Sequence, residues 1–427
     1  MLPCHFFLFI YFFFGLCTHR TSQKFKNVFF VFCTSSKKRR PKSQRGVKCA
    51  MSLSLRVEKF GPGKRIHLHS PLLRCAFVTL GASINSIKVW DAQRSRWVEV
   101  HCAYPGPEET AEDTDYMGCT VGRFAGRISG GKLTLDGEEF NVSRKPGSPH
   151  SVHGGAEGYD RRHWSFLPVE TADVVGVRFS LVSPHMDQGL PAELRIFVFY
   201  YIERKRPAAL HTEYSAFIPE GSPADTTVVN IFNHAYWNLN GVPDANTASN
   251  PRWKQPEKVY NMVLKMPCSR VAEGDAAAIP TGVLKDVTGT CLDFRRGKPL
   301  GEDIDNQAVL GRNPCGYDHP FLVDGWEAKS KQRTLLNAEA YSPSSRIRMR
   351  VYSTFPCMWM HTVNGKPGDA NGERGKRYGR HVAVGLEPQY LPDSPKHPTF
   401  PSTTLRKGEV YFERQVNEFA VLSGSHM

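Results

Sequence analysis

Alternation of apolar and polar residues with a period of two is the feature that most constrains the fold of this 427-residue chain. Residues 346–351 read RIRMRV and residues 177–181 read VRFSL, so an apolar side chain falls on every second position. Residues 194–202 are dense in aromatic and β-branched side chains. Because successive side chains of a strand point to opposite faces, this pattern predicts half-buried β-strands.

A tight hairpin is predicted around Asp136-Gly137, which the strand-like segments 132–135 and 139–142 flank. This pair of residues tolerates positive φ and therefore favours a two-residue turn. Helical periodicity extends over no more than a turn or two, while 36 Gly and 30 Pro separate the short strands. We therefore expect an all-β fold, a large antiparallel β-sandwich, with enough apolar residues (40%) for a substantial core.

The net charge of +14 is concentrated near the start of the chain. Residues 1–50 contain ten Lys or Arg and no Asp or Glu, and removing these ten charges leaves +4 for residues 51–427. The main domain is therefore expected to bind no nucleic acid. The apolar run 6–16 is too short to span a bilayer, and no membrane partner is expected for the mature domain. We expect a leader over 1–50, disordered or absent from the mature protein, a single domain over 51–422 and a tail over 423–427.

Two features of the sequence indicate where in the cell the protein resides: its cysteines and its C-terminal tripeptide. The seven cysteines after residue 50 are scattered singly, without a C-x-x-C pair, which is typical of reduced thiols in a reducing compartment. Ser425-His426-Met427 fits the small–basic–aliphatic pattern of a peroxisomal targeting signal. The alternative is that these residues are an arbitrary tail without a targeting function. The expected location is the cytoplasm, or a peroxisome- or glycosome-like organelle.

Four segments place polar residues and glycine turns in otherwise apolar strands. They are GRFAGRI (122–128), VHGG (152–155), FNHAYWNL (232–239) and VGLEPQ (384–389). In the last segment Glu387 is a carboxylate in an apolar strand, which is costly to bury without a purpose. Alternatively, Glu387 could have a purely structural role in a salt bridge to a nearby arginine.

Taken together, these segments resemble the aldose 1-epimerase (galactose mutarotase) family. The family's motifs G-R-x-x-N-R-I, L-H-G-G, T-N-H-x-Y-F-N-L, G-Y-D-H-x-F and L-E-P-Q-x-x-P-D have counterparts in the same order here, over about Leu55 to Glu413. The resemblance implies a galactose mutarotase-like supersandwich. It also implies an isomerase that interconverts the α and β anomers of a free hexose such as galactose or glucose.

The resemblance further implies a role for each of three residues. Glu387 would be the general base that takes the proton from the anomeric hydroxyl, His234 the general acid that protonates the ring oxygen, and His153 its helper. Ring opening needs a base and an acid at neighbouring oxygens, each worth roughly 10²–10⁴-fold in rate. Both groups regain their starting states when the ring recloses, so no cofactor and no metal are expected.

Five further residues are expected to bind the sugar. Arg127 and Asp318 match the family's sugar-binding side chains, with a strand salt bridge and an Asx-turn as their structural alternatives. Gly126 stands where the family usually has Asn, and Trp359 stands where it tends to have Gln, so a stacking face would replace an amide. Tyr236 is a candidate platform for the sugar ring.

Trp164 and Trp237 are further candidate platforms, with core packing as the alternative for both.

Three other functions compete with this prediction. A metal hydrolase is disfavoured because no H-E-x-x-H motif occurs, although His67 and His69 could share one strand face. A hexose-6-phosphate 1-epimerase of the same fold could grip its phosphate with Arg123, Arg161 and Arg162. A non-catalytic carbohydrate-binding module is the third alternative. The expected partner in every case but the first is a small-molecule sugar, bound by a monomer or weak dimer.

Overall fold

Strands dominate the computed structural model, which describes residues 52–243, 256–306, 315–328, 333–365 and 378–423. The described residues all fall within one compact unit, Ala50–Met427. The predicted leader and the tripeptide Ser425-His426-Met427 lie outside the described residues, so both stay predictions.

The described residues form 28 strands and one α-helix, α1 (Pro107–Glu112). In chain order the first fourteen strands are β1 (Ser54–Phe60), β2 (Gly63–His69), β3 (Leu73–Val78), β4 (Ser83–Asp91), β5 (Arg96–His101), β6 (Thr120–Val121), β7 (Arg127–Ile128), β8 (Lys132–Leu135), β9 (Glu138–Asn141), β10 (Ser151–Val152), β11 (Ser165–Glu170), β12 (Val174–Ser183), β13 (Leu194–Glu203) and β14 (Arg206–Phe217). The other fourteen are β15 (Thr226–Val228), β16 (Phe232–Asn233), β17 (Tyr236–Val242), β18 (Val263–Lys265), β19 (Arg270–Gly274), β20 (Pro280–Asp286), β21 (Lys298–Pro299), β22 (Asp318–Leu322), β23 (Leu335–Tyr341), β24 (Ile347–Ser353), β25 (Cys357–His361), β26 (Val384–Gln389), β27 (Thr404–Arg406) and β28 (Val410–Val421).

Two large antiparallel sheets face each other. The first has eleven strands in the order β1-β2-β3-β4-β5-β17-β26-β25-β22-β19-β20, and the second has nine in the order β11-β12-β13-β14-β28-β24-β23-β18-β21. Aromatic side chains join them: Phe77 of β3 stacks on Tyr200 of β13 at 4.6 Å, and Trp237 of β17 lies 5.8 Å from Phe419 of β28. The predicted all-β antiparallel sandwich is confirmed.

The local patterns form the elements that they predicted. Strands β8 and β9 pair as a hairpin, and its turn residues Asp136 and Gly137 have φ of 51° and 86°. On β24 the apolar Ile347, Met349 and Val351 are buried in the core. All seven cysteines among the described residues are free thiols. In the part of the chain that the structure describes, no helix is long and apolar enough to cross a bilayer.

Strand alternation gives the first sheet two different faces. On β26, Val384 and Leu386 belong to the core between the sheets. Gly385 and Glu387 therefore lie on the opposite face, which we call the outer face of the first sheet. Strands β17 and β25 alternate in the same way. The outer face is where the polar residues of these strands come together.

Candidate active site

The structure brings all eight predicted site residues into one cavity of about 200 Å³ on the outer face of the first sheet. Four are on strands of that sheet, and the others are on β7 or on turns that adjoin it. The eight residues are Glu387, His234, His153, Arg127, Asp318, Gly126, Trp359 and Tyr236. No group of three or more His, Cys, Asp or Glu suited to hold a metal ion is found among the described residues.

Glu387 and His234 face each other in this cavity. Glu387 Oε1 lies 3.5 Å from His234 Nε2, and the two side chains are only 2% and 7% exposed. The amide of Gln389 donates to the other carboxylate oxygen of Glu387 at 3.3 Å. His234 follows β16, and its backbone N–H donates to the carbonyl of Cys119 at 2.8 Å. Paired strands therefore hold both groups at a separation from which each can reach one substrate.

Burial shifts the proton affinities of these two groups in opposite directions. It raises the pKa of Glu387 well above its ordinary value, with the Asp318 carboxylate adding to the shift and Arg127 opposing it. Burial also lowers the pKa of His234 to about 3, helped by His361. Desolvation thus favours a protonated Glu387 and a neutral His234, whereas their proximity favours a carboxylate–imidazolium pair. Both forms carry one proton, so the pair titrates as a unit.

His153 is oriented by a turn. Its φ is +51°, and its ring centroid lies 5.2 Å from that of His234. The backbone N–H of Gly126 donates to His153 Nδ1 at 3.2 Å, which assigns the proton of the neutral ring to Nε2. Burial lowers the pKa of His153, so the ring is neutral at pH 7. His153 can therefore donate a hydrogen bond from Nε2.

Gly126 contributes to the site through its backbone. Its φ is +78°, and a Cβ built there would lie 3.0 Å from Pro392 Cγ. Glycine adopts left-handed backbone readily, and Asn tolerates it. Gly126 therefore holds His153 through its backbone N–H and contributes no side chain to the cavity.

Asp318 and Trp359 form a hydrogen-bonded wall of the cavity. The indole N–H of Trp359 donates to Asp318 Oδ1 at 2.7 Å, and His361 Nδ1 lies 3.4 Å from the same oxygen. The Arg127 guanidinium lies 5.9 Å from the centre of the Trp359 ring. Trp359 thus provides a donor as well as the predicted aromatic face, but the donor is directed at Asp318. Asp318 begins β22 and pairs with His361, so it is a strand residue at the cavity wall.

Five cavity residues were not predicted as site residues from the sequence: Tyr116, Val152, His361, Gln389 and Pro392. His361 and Gln389 each follow a predicted site residue by two positions on the same strand, so the period-two rule could have found them. Tyr116 lies in the segment between α1 and β6, and nothing in its local sequence indicates its position. Its ring centroid lies 4.7 Å from that of His153, on one wall of the cavity.

Two candidate platforms for the sugar are wrong, because the structure places them in the core. Trp164 is 2% exposed, and its indole N–H donates to the carbonyl of Tyr159. Trp237 is fully buried and contacts the second sheet. Its neighbour Tyr236 points the other way and lines the cavity, as strand alternation requires.

The arginines considered for a phosphate are bound to the protein itself. Arg123 is 2% exposed and donates to several backbone carbonyls, including that of Pro191 at 2.6 Å. Arg162 makes two hydrogen bonds to the carboxylate of Asp187. Arg161 donates to the carbonyl of Ala111. None of these three lines the cavity.

Comparison with known proteins gives one consistent family. The model of the family described as aldose 1-epimerase matches residues 64–416. Galactose mutarotase of Bos taurus is 31% identical over 361 residues, which cover 84% of this chain and 95% of that protein. Aldose 1-epimerase of Escherichia coli K12 is 31% identical over 311 residues, which cover 71% and 80%. An aldose epimerase homologue from C. elegans has a similar structure, with a TM-score of 0.68, 24% identity and coverage of 87% and 100%.

Proposed function

Because this chain belongs to the aldose 1-epimerase family, we propose that Glu387 and His234 are the base and the acid with which it interconverts the α and β anomers of a free hexose. His153 assists at the ring oxygen. The observation that carries this assignment is the separation of 3.5 Å between Glu387 Oε1 and His234 Nε2 in a buried, polar cavity. A base and an acid this close can reach adjacent oxygens of one sugar.

The reaction conserves protons. The Glu387 carboxylate accepts the proton of the anomeric hydroxyl while His234 Nε2 gives its proton to the ring oxygen. The bond between C1 and the ring oxygen breaks, and a carbonyl forms at C1. Rotation about C1–C2 presents the other face of the carbonyl. Reclosure then returns one proton to His234 and the other to the anomeric oxygen, so both groups end as they began.

Before the sugar can react, one proton must move within the resting pair of Glu387 and His234. Burial favours the proton on Glu387, but catalysis needs it on His234. Moving the proton from Glu387 to His234 creates the working carboxylate–imidazolium pair without uptake from water. Sugar hydroxyls that donate to Glu387 favour that transfer, because hydrogen bonds to a carboxylate stabilise its charged form.

Galactose or glucose is the proposed substrate. Asp318 and Arg127 supply an acceptor and a donor for hydroxyl groups at the cavity wall, and Tyr236 and Trp359 supply ring faces. A phosphosugar is not favoured, because the arginines considered for its phosphate are held by protein partners elsewhere.

Replacing Glu387 with glutamine tests the proposal. Polarimetry on freshly dissolved α-galactose and α-glucose is expected to show rapid equilibration by the wild type. Glu387→Gln is expected to lower kcat by about 10²-fold or more, because the amide cannot accept the proton. Glu413→Gln is the matched control, since Glu413 is equally buried (2% exposed) but lies on β28 in the second sheet. Equilibration by the wild type no faster than in buffer, or full activity of Glu387→Gln, would refute the assignment.

We also propose that the enzyme works as a monomer or weak dimer in a reducing compartment, either the cytoplasm or a peroxisome-like organelle. The seven free thiols support the reducing compartment. A fluorescent fusion at the N-terminal side, with and without Ser425-His426-Met427, distinguishes the two locations. Organelle import that persists without the tripeptide would rule it out as the address.

A further inference from the structure

Three aromatic rings surround the imidazole of His234. Its Nε2 faces Glu387, but its Nδ1 is buried and makes no hydrogen bond to another residue that the structure describes. A catalytic imidazole is usually oriented by a hydrogen bond from its second nitrogen to a further group. Here the rings of Tyr116, Phe232 and Tyr236 lie 5.8, 5.9 and 4.9 Å away between centroids, inclined by only 24°, 27° and 37°. Packing between nearly parallel rings therefore fixes the plane of the His234 ring.

One of these rings, that of Tyr116, also contacts the second histidine of the site. Its centroid lies 4.7 Å from that of His153, and the two planes are inclined by 64°, which is an edge-to-face contact. The ring of Phe232 is farther from His153, at 6.1 Å. The orientation of both histidines therefore depends on where the Tyr116 ring lies.

Hydrogen bonds hold the backbone on both sides of Tyr116, but they do not hold its side chain. The Tyr116 carbonyl accepts hydrogen bonds from the N–H and the thiol of Cys119, at 3.2 and 3.1 Å. The Asp113 carboxylate accepts from the N–H of Asp115 at 2.7 Å and from that of Met117 at 2.6 Å. The Tyr116 hydroxyl makes no hydrogen bond to the part of the chain that the structure describes. The orientation of this ring therefore depends on what packs against its faces.

Lys145 packs against the Tyr116 ring. Its ammonium lies 4.3 Å from the ring centre, a distance at which a cation is attracted to an aromatic face. Lys145 stands in the turn between β9 and β10, where the N–H of Ser148 donates to the Lys145 carbonyl at 3.0 Å. The ammonium makes no ion pair with any residue that the structure describes. The Asp160 carboxylate feels its charge but is paired with Arg161 at 3.2 Å.

The charge of Lys145 reaches His153 as well. Burial is the main cause that lowers the pKa of His153, and the charged groups around the ring add to it: His234, Arg127 and Lys145 lower the pKa further, and Asp318 opposes them. Lys145 does not line the catalytic cavity, so it acts on His153 from outside. A neutral His153 leaves the single proton of the site to the catalytic pair.

We propose that Lys145 is a positioning residue of the active site: it holds the Tyr116 ring against His153 and His234 and so keeps both imidazoles oriented for proton transfer. The proposal rests on the function proposed above for the two histidines. Lys145 itself touches no substrate and acts through Tyr116. Because proton transfer requires hydrogen-bond reach, a small rotation of either imidazole lowers the rate. Both Lys145 and Tyr116 lie outside the five motifs from which the site residues were predicted.

Removing the ammonium tests this role. Lys145→Met keeps an unbranched side chain and is expected to lower kcat about threefold to fivefold, the strength of a cation–aromatic contact at a partly exposed site. Lys145→Arg is expected to restore the wild-type kcat, because a guanidinium also stacks on an aromatic face. KM is expected to change by less than about twofold, since Lys145 does not line the cavity. Polarimetry on α-galactose measures both constants.

Lys258→Met is the matched control, since the Lys258 ammonium lies 5.3 Å from the centre of the Tyr260 ring and neither residue lines the catalytic cavity. A double variant shows whether Lys145 acts through Tyr116. Adding Lys145→Met to Tyr116→Leu is expected to cause no further loss of kcat, because the two residues are coupled. A kcat of Lys145→Met equal to that of Lys258→Met, or equal losses with and without the Tyr116 ring, would overturn the proposal. Thermal unfolding verifies that each variant folds, and the single Lys145 variants decide if Tyr116→Leu does not.

NMR signals of the histidine rings test the positioning role without an assay of activity. In histidine-labelled protein at pH 7, the ring signals of His153 and His234 are expected to shift in Lys145→Met and to stay in place in Lys258→Met. Unshifted signals in Lys145→Met would refute the role of Lys145, even with a fully active wild type. A wild type that equilibrates no sugar would instead refute the proposed function, and the ring signals would still decide whether Lys145 positions the two histidines.

Discussion

At Glu387 and His234 a single proton is shared by two groups whose affinities are both displaced by burial. The carboxyl group holds its proton more tightly than a free glutamate, and the imidazole holds its proton less tightly than a free histidine. The sequence motifs were enough to predict which residues meet. They could not predict the direction of these shifts, because desolvation depends on how the surrounding strands close over the pair.

The shared proton predicts a pH profile. On acidification from pH 6.5 to pH 4.5, kcat/KM is not expected to fall, because a second proton joins the pair only near the lowered pKa of His234, about 3. Activity is expected to fall at higher pH, when the raised pKa of Glu387 is passed and the pair loses its only proton. Polarimetry in buffers of stepped pH, corrected for the uncatalysed rate and re-assayed at pH 7, measures this. A loss of activity on acidification through pH 6.5 would mean that an ordinary histidine controls the reaction.

Tyr116 is a cavity residue whose position could not be predicted from the sequence. It is 4.7 Å from His153 and 5.8 Å from His234 between ring centroids, and the Lys145 ammonium lies 4.3 Å from the centre of its ring. Its position depends on a segment with left-handed backbone at Tyr116 itself, where φ is +60°. Period-two alternation predicts strands only, so it could not predict where this segment places the ring of Tyr116.

At the scale of the element, β26 shows what one strand contributes. Glu387 pairs with Trp359 of β25, while Gly385 pairs with both His361 of β25 and Tyr236 of β17. Gly385 therefore lies between two ring-bearing residues, and the lack of a side chain there leaves room for the carboxylate. The strand itself could be predicted from its sequence. Its neighbours could not, because they are distant in the chain and strand order is a property of the whole sheet.

Gly385→Ala is expected to impair catalysis without unfolding the protein. A Cβ at this position would lie 2.5 Å from Glu387 Oε1, and the end of that side chain can move whereas the strand cannot. Displacing the base by about 1 Å is expected to lower kcat roughly 10²-fold. The measurement is kcat by polarimetry together with the thermal unfolding midpoint.

Gly221→Ala is the control for this change, since a Cβ at Gly221 would meet no atom within 4 Å. Unchanged kcat in Gly385→Ala would show that the position of Glu387 tolerates the added methyl group. If Gly385→Ala does not fold, the added methyl group strains the sheet and does not simply displace the Glu387 side chain.

Over the whole molecule, buried titratable groups decide how stability depends on pH. Six histidines among the described residues have lowered pKa values: His69, His101, His153, His211, His234 and His381. Four carboxyl groups have raised pKa values: Glu99, Asp113, Asp160 and Glu387. Below pH 6.5 these histidines bind protons in the unfolded chain but stay neutral in the folded protein. Above pH 4.5 the folded state keeps protons that unfolded carboxyl groups release.

The free energy of unfolding is therefore expected to be greatest near pH 6.5. On acidification from pH 6.5 the six histidines outweigh the four carboxyl groups, so stability falls. At higher pH stability falls again as the raised pKa values of the carboxyl groups are passed, about 7 for Glu99. Towards pH 9 the cysteines with raised pKa values add to this fall, because the unfolded chain releases thiol protons that the folded state keeps. Urea unfolding at constant ionic strength from pH 4.5 to pH 9 measures this. Stability that rises steadily to pH 9 would contradict the expectation.

The place of β28 in the second sheet has a consequence for synthesis. Strand β28 lies between β14 and β24 and is hydrogen-bonded to both. Until residues 410–421 have left the ribosome, the group β11–β14 and the group β24-β23-β18-β21 have no strand that joins them. Both β14 and β24 then present open edges, which invite pairing with other chains. Nascent chains of this protein should therefore depend on chaperones for most of their translation.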